Sequence, residues 1–223
     1  MTAKMLDLFC GAGGCSVGYA RAGFDVVGVD SEPHPDYPFP IIVADALEVL
    51  KARWFLDQFD VIAASPPCQA STTMSNRWRG SGGKADEHVN LIPEVRDALV
   101  AWGGVYVIEN VPGARKSMRG AITVSGGSFG LGVNRPRLFE SNVPLTAPTP
   151  VRVSNPLGIY GRSPDGRRLF TRKDGTEQHA ARSLEHGAAA MGIDWMTDWS
   201  DITEAIPPAY TEYIGRQLIE AAL

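Results

Sequence analysis

Residues 4–14 read KMLDLFCGAGG, an apolar run that passes directly into a glycine-rich turn. The run Lys4–Phe9 predicts a short buried strand, and Ser16–Ala22 follows the turn as a predicted helix. Glycines at such a turn let the backbone approach a ligand closely, and the start of a helix presents free N–H groups. The alternative is a tight strand-to-helix turn that binds nothing. The segment therefore predicts one unit of an α/β protein with a candidate ligand-binding turn.

The same alternation of short apolar runs and helical segments continues along the first 109 residues. Continuous apolar strands separated by helices are typical of a mostly parallel sheet with helices on both faces. In such sheets ligands bind at the carboxyl ends of the strands. The further predicted strands are Phe24–Val29, Ile41–Ala44, Asp60–Ala64 and Gly104–Glu109, and the further helices are Ala46–Leu56 and Val89–Trp102.

Three segments fall outside this alternation. Gln69–His88 is polar and glycine-rich, and a long loop inside a compact domain is usually functional or disordered. Ser141–Gly187 carries many prolines, which favours short strands and loops rather than a hydrophobic core. Pro207–Leu223 has a proline in its first turn and apolar residues spaced for one helical face, so it predicts a C-terminal helix.

Charge is distributed unevenly over the 223 residues. The net charge is −4, which taken alone argues against a nucleic-acid binder. Residues 112–186, however, contain 12 Lys and Arg against 5 Asp and Glu. A basic region on an acidic body can present a positive face to phosphates, whereas the simpler alternative is a solvated basic loop.

Composition also bears on the cellular compartment. Hydrophobic residues are 44% of the chain, and no apolar stretch reaches the ~18 residues of a membrane span. The N-terminus has no basic region followed by an apolar run, so no secretory signal is expected. Three cysteines, Cys10, Cys15 and Cys68, make a disulfide framework unexpected and indicate a reducing cytoplasm.

Polar residues follow several of the predicted strands. Asp30 ends the second strand, 16 residues after Gly14, where a carboxylate can accept hydrogen bonds from ribose hydroxyls. Cys68 follows Pro66-Pro67 at the end of the fourth strand and is a candidate nucleophile, although an isolated cysteine is often an inert buried thiol. Glu109 ends the fifth strand, where partial burial would raise its pKa and let it share a proton with a substrate. The alternative is a capping or ion-paired acid.

Residues 134–137 read NRPR, with Arg135 and Arg137 in alternate positions. On an extended strand alternate side chains point to the same side, so both arginines are expected to face one anionic or carbonyl target. The alternative is a surface strand with two solvated arginines.

Together these motifs resemble the DNA cytosine-5 methyltransferase family. DLFCGAGG (7–14) is similar to the motif that wraps S-adenosyl-L-methionine, SPPCQ (65–69) to the catalytic Pro-Cys motif, and ENV (109–111) to the catalytic Glu motif. NRPR resembles the Arg-x-Arg portion of the eighth motif, and EAIPPAYTEYIG (204–215) the last motif. The resemblance implies a Rossmann-like SAM-dependent methyltransferase fold, with S-adenosyl-L-methionine as cofactor and DNA as partner.

The resemblance also implies roles for individual residues. Cys68 would add to C6 of cytosine, Glu109 would hydrogen-bond N3 and the exocyclic amine, and Arg137 with Arg135 would hold O2 and the loop. The implied mechanism requires no metal, and the four histidines show no ligand spacing. The expected cofactor-binding residues are Phe9, Gly11, Gly13, Gly14, Asp30, Asp45 and Pro67.

The expected organisation is a SAM-binding and catalytic domain over residues 1–140, a reduced recognition region over 141–190, and a C-terminal segment over 191–223 that completes the catalytic domain. Val133 stands where the family usually has Gln, and Thr203-Glu204 stand where it usually has Gly-Asn. A recognition region this short predicts a target of two to four base pairs or a loose context preference, with a basic face that mainly contacts phosphates.

Two alternatives remain open at this point. The chain could methylate cytosine in RNA or in a free nucleotide, as one branch of the family resembles DNA enzymes yet methylates tRNA. It could also be a catalytically silent nucleic-acid-binding protein. Val133 and Glu204 support this alternative, whereas the presence of both Cys68 and Glu109 argues against it. The remaining expectations are a monomer in the cytoplasm of a bacterial or phage-infected cell.

Overall fold

A computed structural model of the chain describes residues 2–67, 90–171, 175 and 177–222. Its main feature is a seven-stranded sheet. The strands are β1 (Lys4–Leu8), β2 (Asp25–Asp30), β3 (Ile41–Val43), β4 (Val61–Ala64), β5 (Val105–Asn110), β6 (Ile122–Val124) and β7 (Arg137–Ser141). Their order in the sheet is β3-β2-β1-β4-β5-β7-β6; β1 to β5 pair in parallel, and β7 is antiparallel to both of its neighbours.

Helices connect the parallel strands and cover the sheet. They are α1 (Gly14–Ala22), α2 (Ala46–Lys51), α3 (Arg53–Leu56), α4 (Ile92–Trp102), α5 (Leu184–Met191), α6 (Trp199–Glu204) and α7 (Pro208–Ala222). The single helix predicted over Ala46–Leu56 is two helices, because Ala52 between them leaves the helical conformation with ψ at 72°. The predicted loop Gln69–His88 lies outside the described residues.

The central parallel strands β1, β4 and β5 are buried on both faces. Along β1, Leu6 and Leu8 pack into one apolar core with α2, α3 and α4, while Met5 packs into a second core with α1 and α7. Alternate side chains of a strand point to opposite faces, so a strand between two helical layers must be apolar throughout. The predicted fold class, a mostly parallel sheet with helices on both faces, is confirmed.

The C-terminal helix α7 packs against α1 over much of its length. Two glycines make this close approach possible, since a Cβ on Gly18 would lie 2.0 Å from Thr211 Oγ1 and one on Gly215 would lie 2.7 Å from Ala22 Cβ. Thr211 Oγ1 also donates a hydrogen bond to the Cys15 carbonyl at 2.9 Å. The last part of the chain is thereby joined to the helix that follows the glycine-rich turn.

The segment between β7 and α5 is built of loops and a small hairpin, β8 (Arg168–Thr171) with β9 (Glu177–His179). The expectation that it lacks a hydrophobic core is wrong. Ile159 and Ala181 are buried in a third apolar cluster that also contains Ala12 of the glycine-rich turn. Single apolar residues in an irregular segment show no periodicity, so the sequence pattern does not reveal them.

None of the helices in the described residues combines the length and the apolar composition of a membrane span.

Candidate active site

The loops that follow β1, β2, β4 and β5 meet at the carboxyl edge of the sheet and enclose a cavity of about 470 Å³. We call it the strand-edge cavity. Its volume lies within the range of small-molecule sites. Of the residues predicted for the site it is lined by Phe9, Gly11, Gly14, Asp30, Pro67, Glu109, Arg135 and Arg137.

The glycine-rich turn lines this cavity, and three of its residues have positive φ angles. Phe9, Gly11 and Gly13 all have positive φ values, of 60°, 50° and 90°. A Cβ on Gly11 would project into open space, so the turn leaves room for a ligand, whereas one on Gly14 would lie 2.5 Å from the Ile206 carbonyl oxygen. The turn is thus open toward the cavity and tightly packed against the C-terminal segment on its other side.

Asp30 supports the turn from the end of β2. Its Oδ2 accepts a hydrogen bond from Gly11 N at 2.9 Å, and its Oδ1 accepts one from Glu32 N at 3.2 Å. A carboxylate has about four acceptor sites, so capacity remains for a ligand hydroxyl. The ribose contact stays a prediction, and the hydrogen bond to the turn is a second role that the sequence did not reveal.

Replacing Asp30 by alanine is expected to weaken S-adenosyl-L-methionine binding by roughly 10- to 150-fold, the range for losing a charge-assisted hydrogen bond. Asp30→Asn keeps an acceptor for Gly11 N and should lose less, which separates the support of the turn from the ribose contact. Calorimetric titration measures both. Asp25→Ala, at the exposed opposite end of β2, is the control. An unchanged dissociation constant in Asp30→Ala would refute both roles of this carboxylate.

Two other predicted cofactor residues are placed differently. Asp45 is exposed and caps α2, with its Oδ1 accepting from Leu47 N at 2.7 Å, and it does not line the strand-edge cavity. Gly13 is the N-cap of α1 and packs against the ring of Tyr37. Contacts of these residues with the cofactor stay predictions.

The proline pair after β4 is held in place by Asn110. Asn110 Nδ2 donates to the Pro66 carbonyl at 3.0 Å, which links the loop after β4 to the end of β5. Asn110 is buried, and only its position in the ENV motif signalled it. Pro67 lines the cavity, and Cys68, the predicted nucleophile, lies outside the described residues.

Glu109 is buried beside an arginine. Its Oε1 lies 3.1 Å from Arg137 Nε, without the alignment of a hydrogen bond, and has no hydrogen-bond partner among the described residues. Burial raises the pKa of the Glu109 carboxyl, and Arg137 and a hydrogen bond with Ser65 oppose the rise. The site therefore contains a buried carboxyl group whose pKa is raised and whose Oε1 accepts no hydrogen bond from the described residues.

The two arginines of the NRPR motif are not on one extended strand. β7 begins at Arg137, and Arg135 before it has a positive φ of 33°. Arg135 reaches across to the C-terminal segment and donates to the carbonyls of Ala205 at 2.9 Å and Thr203 at 2.5 Å. The expectation that both arginines lie on one extended strand is wrong, because Arg135 precedes the strand and has a left-handed backbone conformation. Both residues nevertheless line the strand-edge cavity.

The positions that depart from the family pattern have different surroundings. Val133 is fully buried in the third apolar cluster. Thr203 and Glu204 line the strand-edge cavity, so the departure in the last motif falls next to the expected cofactor.

A second buried carboxyl lies beneath the cavity and was missed by the sequence reading. Ser16 Oγ donates to Asp7 Oδ2 at 2.5 Å and accepts from the Tyr37 hydroxyl at 2.9 Å. Burial raises the pKa of Asp7 to about 7, although the hydrogen bond from Ser16 lowers it. These two hydrogen bonds link β1, α1 and the loop after β2. No single sequence motif contains all three partners, because they are residues 7, 16 and 37.

The raised pKa of Asp7 predicts a pH-dependent stability. Asp7 holds its proton up to about pH 7 in the folded state and releases it near pH 4 when unfolded, so the contribution of Asp7 to stability is greatest below pH 4 and is lost as pH rises from about 4 to 7. Asp7→Asn should therefore gain stability relative to the wild type across that window, by up to about 4 kcal/mol. Denaturant unfolding at several pH values measures it, with Asp25→Asn as the control. Parallel stability curves for wild type and Asp7→Asn would contradict the assignment.

A larger cleft of about 670 Å³ adjoins the strand-edge cavity. We call it the side cleft. The two share Val111, Arg135 and Arg137 in their linings, so they meet beside Glu109. One wall of the side cleft belongs to the loops around β5 and β7, and the other consists of Leu157, Ile159, Tyr160 and Gln178. The arrangement allows a small molecule in the cavity and a second substrate in the cleft to approach one another.

The arginines of the basic segment lie largely on the surface. Arg152, Arg162 and Arg182 are exposed, and so are Arg167 and Arg168, which pair with Asp165 and Glu177. Arg172 and Lys173 lie outside the described residues. Among the residues that are described, no cluster of His, Cys, Asp or Glu could hold a metal ion.

Comparison with known proteins agrees with this geometry. Residues 3–124 match the model of the family described as C-5 cytosine-specific DNA methylase. The chain is 31% identical over 123 residues to the type II methyltransferase M.HgiGI of Herpetosiphon aurantiacus, covering 51% of this chain and 94% of that protein. It is 27% identical to the type II methyltransferase M.AgeI of Thalassovita gelatinovora over 53% of this chain but only 30% of that protein.

Solved structures share the fold over the whole chain. A putative DNA modification methyltransferase encoded within an E. coli prophage has a TM-score of 0.65 at 16% identity, covering 98% of this chain and all of that one. The S. pombe Dnmt2 methyltransferase has a TM-score of 0.60 at 14% identity, covering 98% of each chain. The family match spans more than half of the sequence and includes β1 with its glycine-rich turn, β4 and Glu109. The chain therefore belongs to the C-5 cytosine-specific DNA methylase family, the enzymes that methylate cytosine at C5 in DNA.

Proposed function

We propose that the chain binds S-adenosyl-L-methionine in the strand-edge cavity and transfers the methyl group to C5 of a cytosine that enters the side cleft from DNA. The observation that carries the proposal is the junction of the two spaces at Arg137, beside the buried Glu109 carboxyl. A methyl donor and an acceptor base would meet there. Glu109 Oε1 accepts no hydrogen bond from the described residues, although it lies 3.1 Å from Arg137 Nε, so a base could become its hydrogen-bond partner.

The residues lining the strand-edge cavity fit the cofactor. The turn at Gly11 leaves open space, and Asp30 offers acceptor sites for ribose hydroxyls at the end of β2. Bound S-adenosyl-L-methionine supplies the methyl group. Asp30 and the turn would hold it at the ends of β1 and β2.

C5 of cytosine is a poor nucleophile, so the ring has to be activated. Addition of the Cys68 thiolate at C6 would form a C–S bond and make C5 an enamine carbon, which would form a bond to the methyl group as the bond from methyl to the sulfonium sulfur breaks and a neutral thioether leaves. The protonated form of Glu109, which burial favours by raising the pKa of the carboxyl, donates its proton to N3 and stabilises the charge that develops. A base then removes the C5 proton, the C–S bond to Cys68 breaks to release the thiolate, and N3 returns its proton to Glu109, which restores the ring.

The three parts of the chain would have different roles in catalysis and DNA binding. We propose that residues 1–140 and 191–223 form the catalytic unit and that 141–190 faces the DNA. The packing of α7 on α1 and the bonds from Arg135 to Thr203 and Ala205 support the first assignment. The exposed arginines of the middle segment support the second, because exposed arginines suit phosphate contacts.

Transfer of a radiolabelled methyl group to DNA, RNA and dCMP in parallel tests the proposal. We expect label in DNA, recovered as 5-methylcytosine after digestion. Label found instead in RNA or dCMP would show that the substrate is RNA or the free nucleotide and not DNA. No label in any of the three, from a folded protein that binds S-adenosyl-L-methionine, would show a catalytically silent binding protein.

A further inference from the structure

Gln178 is a polar side chain buried in the wall of the side cleft. It lies on β9, is only 6% exposed, and lines the cleft opposite Val111 and Gly113. Its side-chain amide makes no hydrogen bond to any residue that the structure describes. Its amide atoms are not among the fully enclosed, unpartnered side-chain atoms of the described residues, so the amide stays accessible from the cleft, where a ligand can complete its hydrogen bonds.

Hydrogen bonds connect the backbone around Gln178 to the loop that carries Arg135. Gly158 N donates to the His179 carbonyl at 2.8 Å, and Leu157 N donates to the Gly132 carbonyl at 2.8 Å. Arg135 Nη1 donates to the Ile159 carbonyl at 3.2 Å. These bonds hold residues 157–159 between β9 and the Arg135 loop, so the position of Gln178 is set relative to the site of methyl transfer.

The chemistry of Gln178 differs from that of the exposed arginines of the same region. Arginines at the surface suit phosphates, which carry no sequence information. An amide is neutral and offers both a donor and an acceptor; the edge of a nucleobase can use both, whereas a phosphate can use only the donor. A buried and fixed amide therefore suits selection of a base.

We propose that Gln178 is a specificity-determining residue that hydrogen-bonds the edge of one base beside the target cytosine. The inference rests on the proposed function, because it assumes that DNA enters the side cleft. It gives the short recognition region one defined base contact, and the surface arginines supply affinity that is independent of sequence.

The test uses a DNA library with a methylatable cytosine in randomised flanks, read by bisulfite sequencing after reaction with the full-length enzyme. Gln178→Met keeps the approximate shape and removes the amide, and Gln178→Glu keeps an acceptor and removes the donor. Gln58→Met, at an exposed glutamine just after α3, is the matched control. S-adenosyl-L-methionine affinity and thermal unfolding are measured for each variant.

We expect Gln178→Met to lose preference at a single flanking position by roughly 5- to 150-fold, the discrimination of one bidentate base contact. Gln178→Glu should change which base is preferred there, and Gln58→Met should keep the wild-type profile. An unchanged profile in both Gln178 variants, or a uniform loss over all sequences, would overturn the role of Gln178 alone. A wild-type enzyme that methylates no DNA would instead overturn the proposed function, and this inference with it.

Discussion

Cys68→Ser is expected to abolish methyl transfer while S-adenosyl-L-methionine binding survives. A serine hydroxyl is far less ionised than a thiol near neutral pH, so it does not add to C6. The two other cysteines are poor substitutes, because burial raises the pKa of the Cys10 and Cys15 thiols and keeps them protonated. The measurement is radiolabelled methyl transfer to DNA beside a cofactor titration.

A covalent trap distinguishes the nucleophile from a merely structural cysteine. DNA containing 5-fluorocytosine should form a complex with the wild type that survives denaturation, because fluorine at C5 blocks the final elimination. Cys68→Ser should form none. Cys15→Ser, which changes a buried thiol that also lines the strand-edge cavity, should still be trapped. Full activity in Cys68→Ser would exclude this residue as the nucleophile.

Glu109→Gln is expected to lower kcat by roughly 10²- to 10⁴-fold, the usual contribution of a positioned acid. The amide keeps the shape and a hydrogen-bond donor but has no proton to transfer to N3. Because burial raises the pKa of Glu109, the protonated form persists to higher pH than for an ordinary carboxyl, and the wild-type rate should fall as pH rises through that pKa. The residual rate of Glu109→Gln should lack this fall.

Glu140 provides a matched control for Glu109. It is equally buried, but it pairs with Arg96 and accepts from Arg119 N at 2.6 Å, away from both the cavity and the cleft. Glu140→Gln should therefore reduce stability and leave kcat nearly unchanged. Equal losses of kcat in the two variants would mean that Glu109 acts through the packing of β5 and not on the base.

The sequence predicted the fold correctly where the signal was local. The runs at β1, β2, β4 and β5 were identified to within one or two residues, since each is a continuous apolar segment bounded by turn residues. The split of the helix at Ala52 and the start of α4 at Ile92 were not predicted, because helix ends depend on tertiary packing as well as on propensity.

Candidate site residues were predicted where a strand end or a family motif marked them. Asp30, Glu109 and Pro67 all line the strand-edge cavity, because the carboxyl ends of parallel strands converge. The roles assigned to them stay predictions. Asn110, which holds the Pro66 carbonyl, lies within a quoted motif and was still overlooked, because its partner is 44 residues away.

By itself the amino-acid sequence determined the parallel α/β sheet, the glycine-rich turn and the set of polar residues at the strand ends, all of which follow from local periodicity and the geometry of parallel strands. Only the tertiary structure decided that Arg135 turns toward Thr203 and Ala205, that Asp7 is buried under Ser16 and Tyr37, and that Gln178 faces the side cleft. Each of these depends on residues far apart in the chain meeting in space. Burial and the direction of a side chain are set by that packing, so no local pattern encodes them.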